Sequence, residues 1–205
     1  FIGSAKIGWM LRSKLSPGTR CALEHGGMAP TFLTESTDLN IASKLLVKGG
    51  FYHAGQVCVS VQRIFVHKNI FDEFLSIFEK NLKPLKIGNP LDDKTEIGPL
   101  IRPSEVDRVQ EWVNESISSG TTLLCGGNKI SETCFDKTVL INPKFSDKVS
   151  RMEIFGPVVN MYSYDNLEKT IEIANDTDVS FQASIFSNNI DETMSFYKKI
   201  NASAV

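Results

Sequence analysis

Apolar positions along the chain switch between a helical and an extended period, and the order of the two predicts an α/β domain. Ile7, Met10 and Leu11 fall at helical spacing behind Ser4, a potential N-cap, and Ser16-Pro17-Gly18 turns the chain into a short strand expected over residues 20–24. A second helix is expected from Asp38, with Leu39, Ala42, Leu45 and Leu46 on one face, until Gly49-Gly50 loosens it; Cys58 then falls in a turn. Residues 59–67 alternate and are rich in β-branched side chains, so they read as a strand. Asn69 is placed to cap the amphipathic helix of Phe71, Phe74, Leu75, Phe78 and Leu82. Pro103 fits the first turn of a helix carrying Val106, Val109, Val113 and Ile117, which Gly120 stops ahead of a strand over 121–125. The alternation continues with strand 158–164, helix 167–174, strand 180–187 and helix 192–200.

At 205 residues and 41% hydrophobic content the chain can bury a substantial core. Its 22 Lys and Arg nearly balance 24 Asp and Glu, and no run of like charge stands out, so a small molecule rather than nucleic acid is the expected partner. No apolar stretch approaches the roughly 20 residues that span a bilayer and no charged segment precedes an apolar leader, so no membrane partner is expected and a cytoplasmic location is. The four cysteines form no Cys-x-x-Cys pair and have no histidine at metal spacing. A zinc site is therefore not expected, and reduced thiols are. A start at Phe1 and an end at residues 202–205, where a new strand is expected to begin, suggest a piece of a longer protein.

Three segments offer chemistry. Gly55-Gln56-Val57-Cys58 places a thiol after a glycine turn, where backbone N–H groups can face a developing oxyanion, although a free cysteine is more often simply buried. Leu23-Glu24-His25-Gly26-Gly27 sets a carboxylate at the end of an expected strand, where sites collect in α/β folds and where solvated rim residues also lie. Glu153-Ile154-Phe155-Gly156-Pro157 reads on its own as a Gly-Pro turn with an aromatic anchor.

Together and in this order the segments resemble the aldehyde dehydrogenase superfamily, and the resemblance runs over essentially the whole chain. LEHGG stands beside that family's LELGG, FYHAGQVC beside its aromatic-x-x-x-Gly-Gln-x-Cys, and EIFGPV matches its EIFGPV. Position 24 precedes position 58 by 34 residues, the family's usual spacing of base and nucleophile. FIGS looks like its FTGS, and GNPLDDKTEIGPLI like its GDPxDxxTxxGPxI.

The resemblance implies an open, mostly parallel sheet flanked by helices. Residues 25–205 would form a catalytic domain cut short at its C-terminus, and residues 1–24 the C-terminal edge of an NAD(P)-binding domain. It implies oxidation of an aldehyde to a carboxylic acid with NAD or NADP. Cys58 would pass through a thiohemiacetal and a thioester, and Glu24 would act as general base on the thiol or the hydrolytic water. A thiol with a pKa near about 8.5 is only a few per cent ionised at neutral pH, so it needs such help, and burial would suit Glu24 to the task. By the same resemblance Glu153 would bond the nicotinamide ribose hydroxyls and Phe155 would pack beside the nicotinamide. Gly3 and Ser4 would sit at the helix start near the pyrophosphate, and His25 and Gly26 would wall the cofactor.

Two positions depart from the pattern. His25 replaces a usually apolar residue and reads more readily as a spectator than as a sensor of pH, and Met28 stands where lysine is frequent. A Cys–His dyad of His53 with Cys58 is the weaker alternative, and His67 has no evident role. FYHAGQVC looks most like the lactaldehyde, semialdehyde and phosphorylated-aldehyde branches, which implies a small polar substrate. Relatives are usually dimers or tetramers, so a homodimer or homotetramer is expected of the full-length protein, and the 205-residue piece alone is expected to be inactive. Two other readings stay open: a CoA-acylating dehydrogenase, which Glu24 opposes, and a catalytically silent homologue with a structural or binding role, which the pairing of Cys58 with Glu24 opposes.

Overall fold

A computed structural model describes residues 1–178 and 181–205. The chain runs α1 (Ala5–Ser13), β1 (Thr31–Leu33), α2 (Leu39–Phe51), β2 (Arg63–His67), α3 (Phe71–Leu82), α4 (Pro103–Ser118), β3 (Thr122–Cys125), β4 (Thr138–Ile141), α5 (Lys148–Arg151), β5 (Val158–Tyr164), α6 (Leu167–Asn175), β6 (Ser184–Phe186) and α7 (Ile190–Lys199). Six strands make one sheet in the order β3-β4-β5-β2-β1-β6. Among the described residues only the β3–β4 strand pair is antiparallel, so the mostly parallel sheet flanked by helices is the architecture expected.

Parallel strands covered on both faces lose the alternation of a half-exposed strand, and β1 and most of β2 and β5 are buried at successive positions. On one face Leu33, Ile64, Val66, Val159 and Met161 pack with Leu46, Phe51, Phe74, Phe78, Val109 and Val113 of α2, α3 and α4. On the other, Phe32, Phe65 and Tyr162 stack in a row at 4.7 and 5.0 Å beneath Ile171 and Ala174 of α6 and Phe196 of α7. Full burial of one such side chain stabilises by about 1.5–3 kcal/mol, so this two-sided packing is what fixes the strand ends that carry the site.

Several local expectations fail for identifiable reasons. Residues 20–24 form no strand; Glu24 makes a single bridge to Ile2, because the partnering segment ends where α1 begins. Ser4 occupies the N-cap position of α1, but its side chain makes no capping bond. Gly49 and Gly50 lie inside α2 rather than ending it: a Cβ on Gly50 would stand 2.6 Å from Val159 Cγ2, so glycine lets the helix approach β5. Strand β2 begins only at Arg63, since the preceding backbone is drawn into irregular bonds, Val61 N–H to Gly49 O and Gln62 N–H to Met28 O. Asn69 caps nothing; it sits in a 3-10 turn, Lys68–Ile70, and its amide donates to Glu35 Oε1 at 2.9 Å. Strands β1 and β4, three and four residues long, are too short to show a period and were not expected. The last strand spans Ser184–Phe186, and its expected start at Ser180 lies outside the described residues. Helix α7 starts at Ile190, where the Asn189 side chain accepts from the Asp191 and Glu192 N–H groups.

Candidate active site

The loop from Met152 to Pro157, between α5 and β5, is where the three motifs meet. Gln62, 5% exposed at the entry to β2, holds it from below: its Nε2 donates to Val149 O at 2.9 Å and Met152 O at 2.8 Å, while its Oε1 accepts from Ile154 N–H at 2.8 Å. Arg108 of α4 holds it from the side, donating through Nη2 to Ile154 O at 2.7 Å while its Nε pairs with Glu105 at 2.8 Å. Inside this frame Phe155 adopts a left-handed φ of 52°, a conformation that costs about 1–3 kcal/mol and persists only where surrounding contacts impose it.

Glu153 points from this loop onto the glycines of the first motif. A Cβ at Gly26 would lie 1.7 Å from Glu153 Oε1, so only glycine leaves room for the carboxylate. Burial pushes the Glu153 carboxyl above the usual carboxylate range, against the opposing pull of the Gly27 N–H and the Arg108 guanidinium. Its Oε1 is buried and has no hydrogen-bond partner among the described residues.

The second motif docks on the same loop. His53, Ala54 and Gly55 adopt three consecutive left-handed conformations (φ 50°, 54° and 72°), which swing the chain from the end of α2 toward Cys58. Gly55 then lies so close to the loop that a Cβ there would stand 2.1 Å from Gly156 O. Gln56 clamps the turn to the segment ahead of α4: its Nε2 donates to His53 O and Pro99 O, both at 3.1 Å, and its Oε1 accepts from Ile101 N–H at 2.9 Å. Cys58 is half-buried in the turn that follows, and its backbone N–H donates to no acceptor among the described residues. Burial first, and the charge of Cys58 second, push up the Tyr52 phenol, so the two groups share one electrostatic environment.

Glu24 is exposed, contrary to the burial expected of it. It opens with His25 and Gly26 on a cavity of about 320 Å³ that Phe181 and Asp178 also line. No hydrogen bond joins its carboxylate to the Cys58 thiol among the described residues. His25 lies 6.0 Å, ring to ring, from Trp9 of α1, and its Nε2 is buried without a partner. Gly3 donates its N–H to Glu24 O at 3.2 Å, which ties the start of α1 to the first motif, and Ser4 is exposed beside it. The structure thus brings Gly26 and the Cys58 turn onto the loop that bears Glu153, and ties Gly3 to Glu24, which opens on a cavity beside Gly26.

Gln62 and Arg108 went unnoticed in the sequence. The signal for Gln62 was there, a lone amide among the apolar residues of 59–67 whose burial would require partners. Gln62→Leu leaves the Ile154 N–H and Met152 O without their partner, at about 1–3 kcal/mol for each buried group. The expected result is loss of hydrogen-exchange protection at the Ile154 amide; unchanged protection would show that the loop is held otherwise.

Comparison with known proteins gives the same answer along the whole chain. The profile of the aldehyde dehydrogenase family matches residues 1–205. The chain is 38% identical to 3-sulfolactaldehyde dehydrogenase of Priestia aryabhattai over 98% of its own length and 42% of that protein's. It is 37% identical to lactaldehyde dehydrogenase of Methanococcus vannielii over 100% and 43%. The crystal structure of glyceraldehyde-3-phosphate dehydrogenase GapN from Methanocaldococcus jannaschii, complexed with NADP, superposes with a TM-score of 0.95 at 36% identity, covering 100% of this chain and 44% of that one. The chain spans well under half the length of these relatives, and it belongs to the aldehyde dehydrogenase family.

Proposed function

We propose that this chain carries the nucleophile and the general base of an enzyme that oxidises a small polar aldehyde to a carboxylic acid with NAD or NADP. The observation that carries this reading is the convergence of three separated motifs on one loop, with Gly26 against Glu153 and Gly55 against Gly156. In this reading residues 25–205 belong to the catalytic domain and residues 1–24 edge the NAD(P)-binding domain of a longer, dimeric or tetrameric protein.

Cys58 adds as thiolate to the aldehyde carbon, and its free backbone N–H is available to the oxyanion that forms. Bound NAD(P)+ supplies the acceptor for the hydride that leaves the thiohemiacetal. The residues present fit that group: Glu153 Oε1 is a buried acceptor with no protein partner, suited to ribose hydroxyls, and Phe155, 42% exposed, presents its ring to the cavity that Val57 also lines. Gly3 and Ser4, exposed at the start of α1, suit a pyrophosphate, whose charge the helix N-terminus favours. His25 and Gly26 wall the same side. Glu24, open to solvent, takes the proton from the water that hydrolyses the thioester.

Glu24→Gln in the full-length protein is expected to slow turnover by about 10²–10⁴-fold and to let a thioester on Cys58 accumulate, visible as added mass on the intact protein. Turnover within twofold of the parent would remove Glu24 from the mechanism. Glu24 also sets this reading apart from the CoA-acylating one, and supplying CoA without forming acyl-CoA is the expected result. The 205-residue chain alone is expected to turn over no aldehyde, because it spans under half the length of its relatives.

A cavity of about 380 Å³ beside Tyr52 bears on the substrate. Lys44 and Lys48, one turn apart on α2, line it opposite the single carboxylate of Glu96, with which neither forms an ion pair among the described residues, so the lining keeps one net positive charge. That charge favours an aldehyde with an anionic end, such as a semialdehyde or a phosphorylated aldehyde. Lys48→Glu is expected to raise KM for such substrates by about tenfold and to leave uncharged aldehydes unchanged. An equal effect on both would place the lysine away from the substrate.

A further inference from the structure

On the opposite face of the sheet from α2 and α3, a cavity of about 570 Å³ opens beside α5 and α6. Arg63, the first residue of β2, lines it and is 2% exposed. Of the five N–H groups of this guanidinium only one, on Nη2, finds an acceptor, Ala174 O at 2.9 Å; Nε is buried with no partner among the described residues. No carboxylate forms an ion pair with it among the described residues, and the charge of Asp176 favours it only from a distance. Asp176, which also lines the cavity, is engaged by Arg151 at 3.1 Å. Burial, as the largest influence, pulls the Arg63 guanidinium down to about 10, the mark of a charge taken out of water without full compensation. Buried charges are retained when something pairs them, and here the described residues supply one carbonyl and the Phe65 ring, 5.8 Å away.

The rest of the cavity matches an anion that carries an apolar body. Lys169 lines it without an ion-pair partner among the described residues, and the Ser150 hydroxyl, which accepts from Tyr162 at 2.7 Å, donates to no acceptor among them. Three cations face two carboxylates, Glu172 and Asp176, which leaves the lining net positive. Phe145 is 40% exposed and stacks at 4.9 Å on Tyr162, so it offers a flat apolar wall.

We propose that this cavity is a ligand site for a small carboxylate- or phosphate-bearing molecule, with its anionic head on Arg63 and a flat apolar body against Phe145. The site is separate from the Cys58 turn, although Ser150 and Arg151 stand just ahead of the loop that bears Glu153.

Calorimetric titration of the full-length protein with benzoate, inorganic phosphate and benzyl alcohol tests this. Benzoate and phosphate are expected to compete for one site, and benzyl alcohol to bind at least about tenfold more weakly than benzoate. Lys169→Glu, an exposed change that leaves Arg63 in place, is expected to weaken both anions; Phe145→Ala is expected to weaken benzoate and spare phosphate. Benzoate binding should persist in Cys58→Ser, which distinguishes this cavity from the active site. The proposal is overturned if neither anion binds at millimolar concentration, if benzyl alcohol binds as well as benzoate, or if both variants bind like the parent. Failure of the full-length protein to bind while the isolated 205-residue chain does would assign the anion to a carboxylate of the protein itself, and would equally overturn it.

Discussion

Cys58→Ser in the full-length protein is expected to lower aldehyde oxidation by about 10⁴-fold or more, with binding of NAD or NADP unchanged. A serine hydroxyl is far less acidic than a thiol, and among the described residues none is hydrogen-bonded to the side chain at position 58 to take its proton. Removing a nucleophile from an otherwise intact site typically forfeits most of the catalysis, and 10⁴-fold corresponds to about 5 kcal/mol of barrier. The measurement is kcat with the best aldehyde, beside a titration of the cofactor. Cofactor affinity within twofold of the parent, together with lost turnover, places the defect in chemistry; near-full turnover would end the assignment of Cys58. The other cysteines provide a control. Burial pushes the Cys125 thiol up to about 11, so alkylation at neutral pH is expected to mark Cys58 well before Cys125.

Gly55→Ala is expected to be the most damaging small substitution in the chain. The new methyl would stand 2.1 Å from a backbone oxygen, Gly156 O, which has no rotamer by which to yield, and a φ of 72° penalises any side chain. The two effects together are worth about 3 kcal/mol or more. The Cys58 turn and the Glu153 loop must separate to relieve the contact, so activity and stability are expected to fall together. Gly98→Ala is the matched comparison: nothing lies within 4 Å of a Cβ there, and its stability should stay within about 0.5 kcal/mol of the parent. Equal losses at the two positions would show that the Gly55–Gly156 approach is not what holds the site.

The sequence made legible what depends on local order. Leu39, Ala42 and Leu46 announced α2, Pro103 announced α4, the alternation of elements announced an α/β domain, and the family resemblance added the mostly parallel sheet. The three motifs marked the site because each is contiguous. What stayed hidden depends on who meets whom. Gly50 looked like a helix breaker because a glycine that admits a neighbouring strand and one that ends a helix are the same letter. Asn69 looked like a cap because nothing local shows that its amide reaches Glu35. The placement of Glu153 on Gly26 joins positions 127 residues apart, and Gln62 reaches 90 and 92 residues along the chain to Met152 and Ile154. Burial of Glu24 was inferred from the role that the family resemblance implies for it, and in this chain, which spans under half the length of its relatives, the carboxylate is exposed.

The approach of Gly55 to Gly156 also maps where this protein can be re-engineered. Combinatorial libraries that seek new aldehyde preferences should leave both glycines, Gly26 and Gln62 untouched, since a side chain would meet the Gly156 backbone at Gly55, Val109 at Gly156 and the Glu153 carboxylate at Gly26, and the Gln62 amide is fully committed. Diversity belongs instead at Tyr52, Val57 and Ile101, whose side chains border open cavities and answer to no such contact. The rigid centre and the permissive rim are only a few residues apart in the chain, so a randomised window drawn by sequence alone would spend most of its members on proteins that cannot assemble the site.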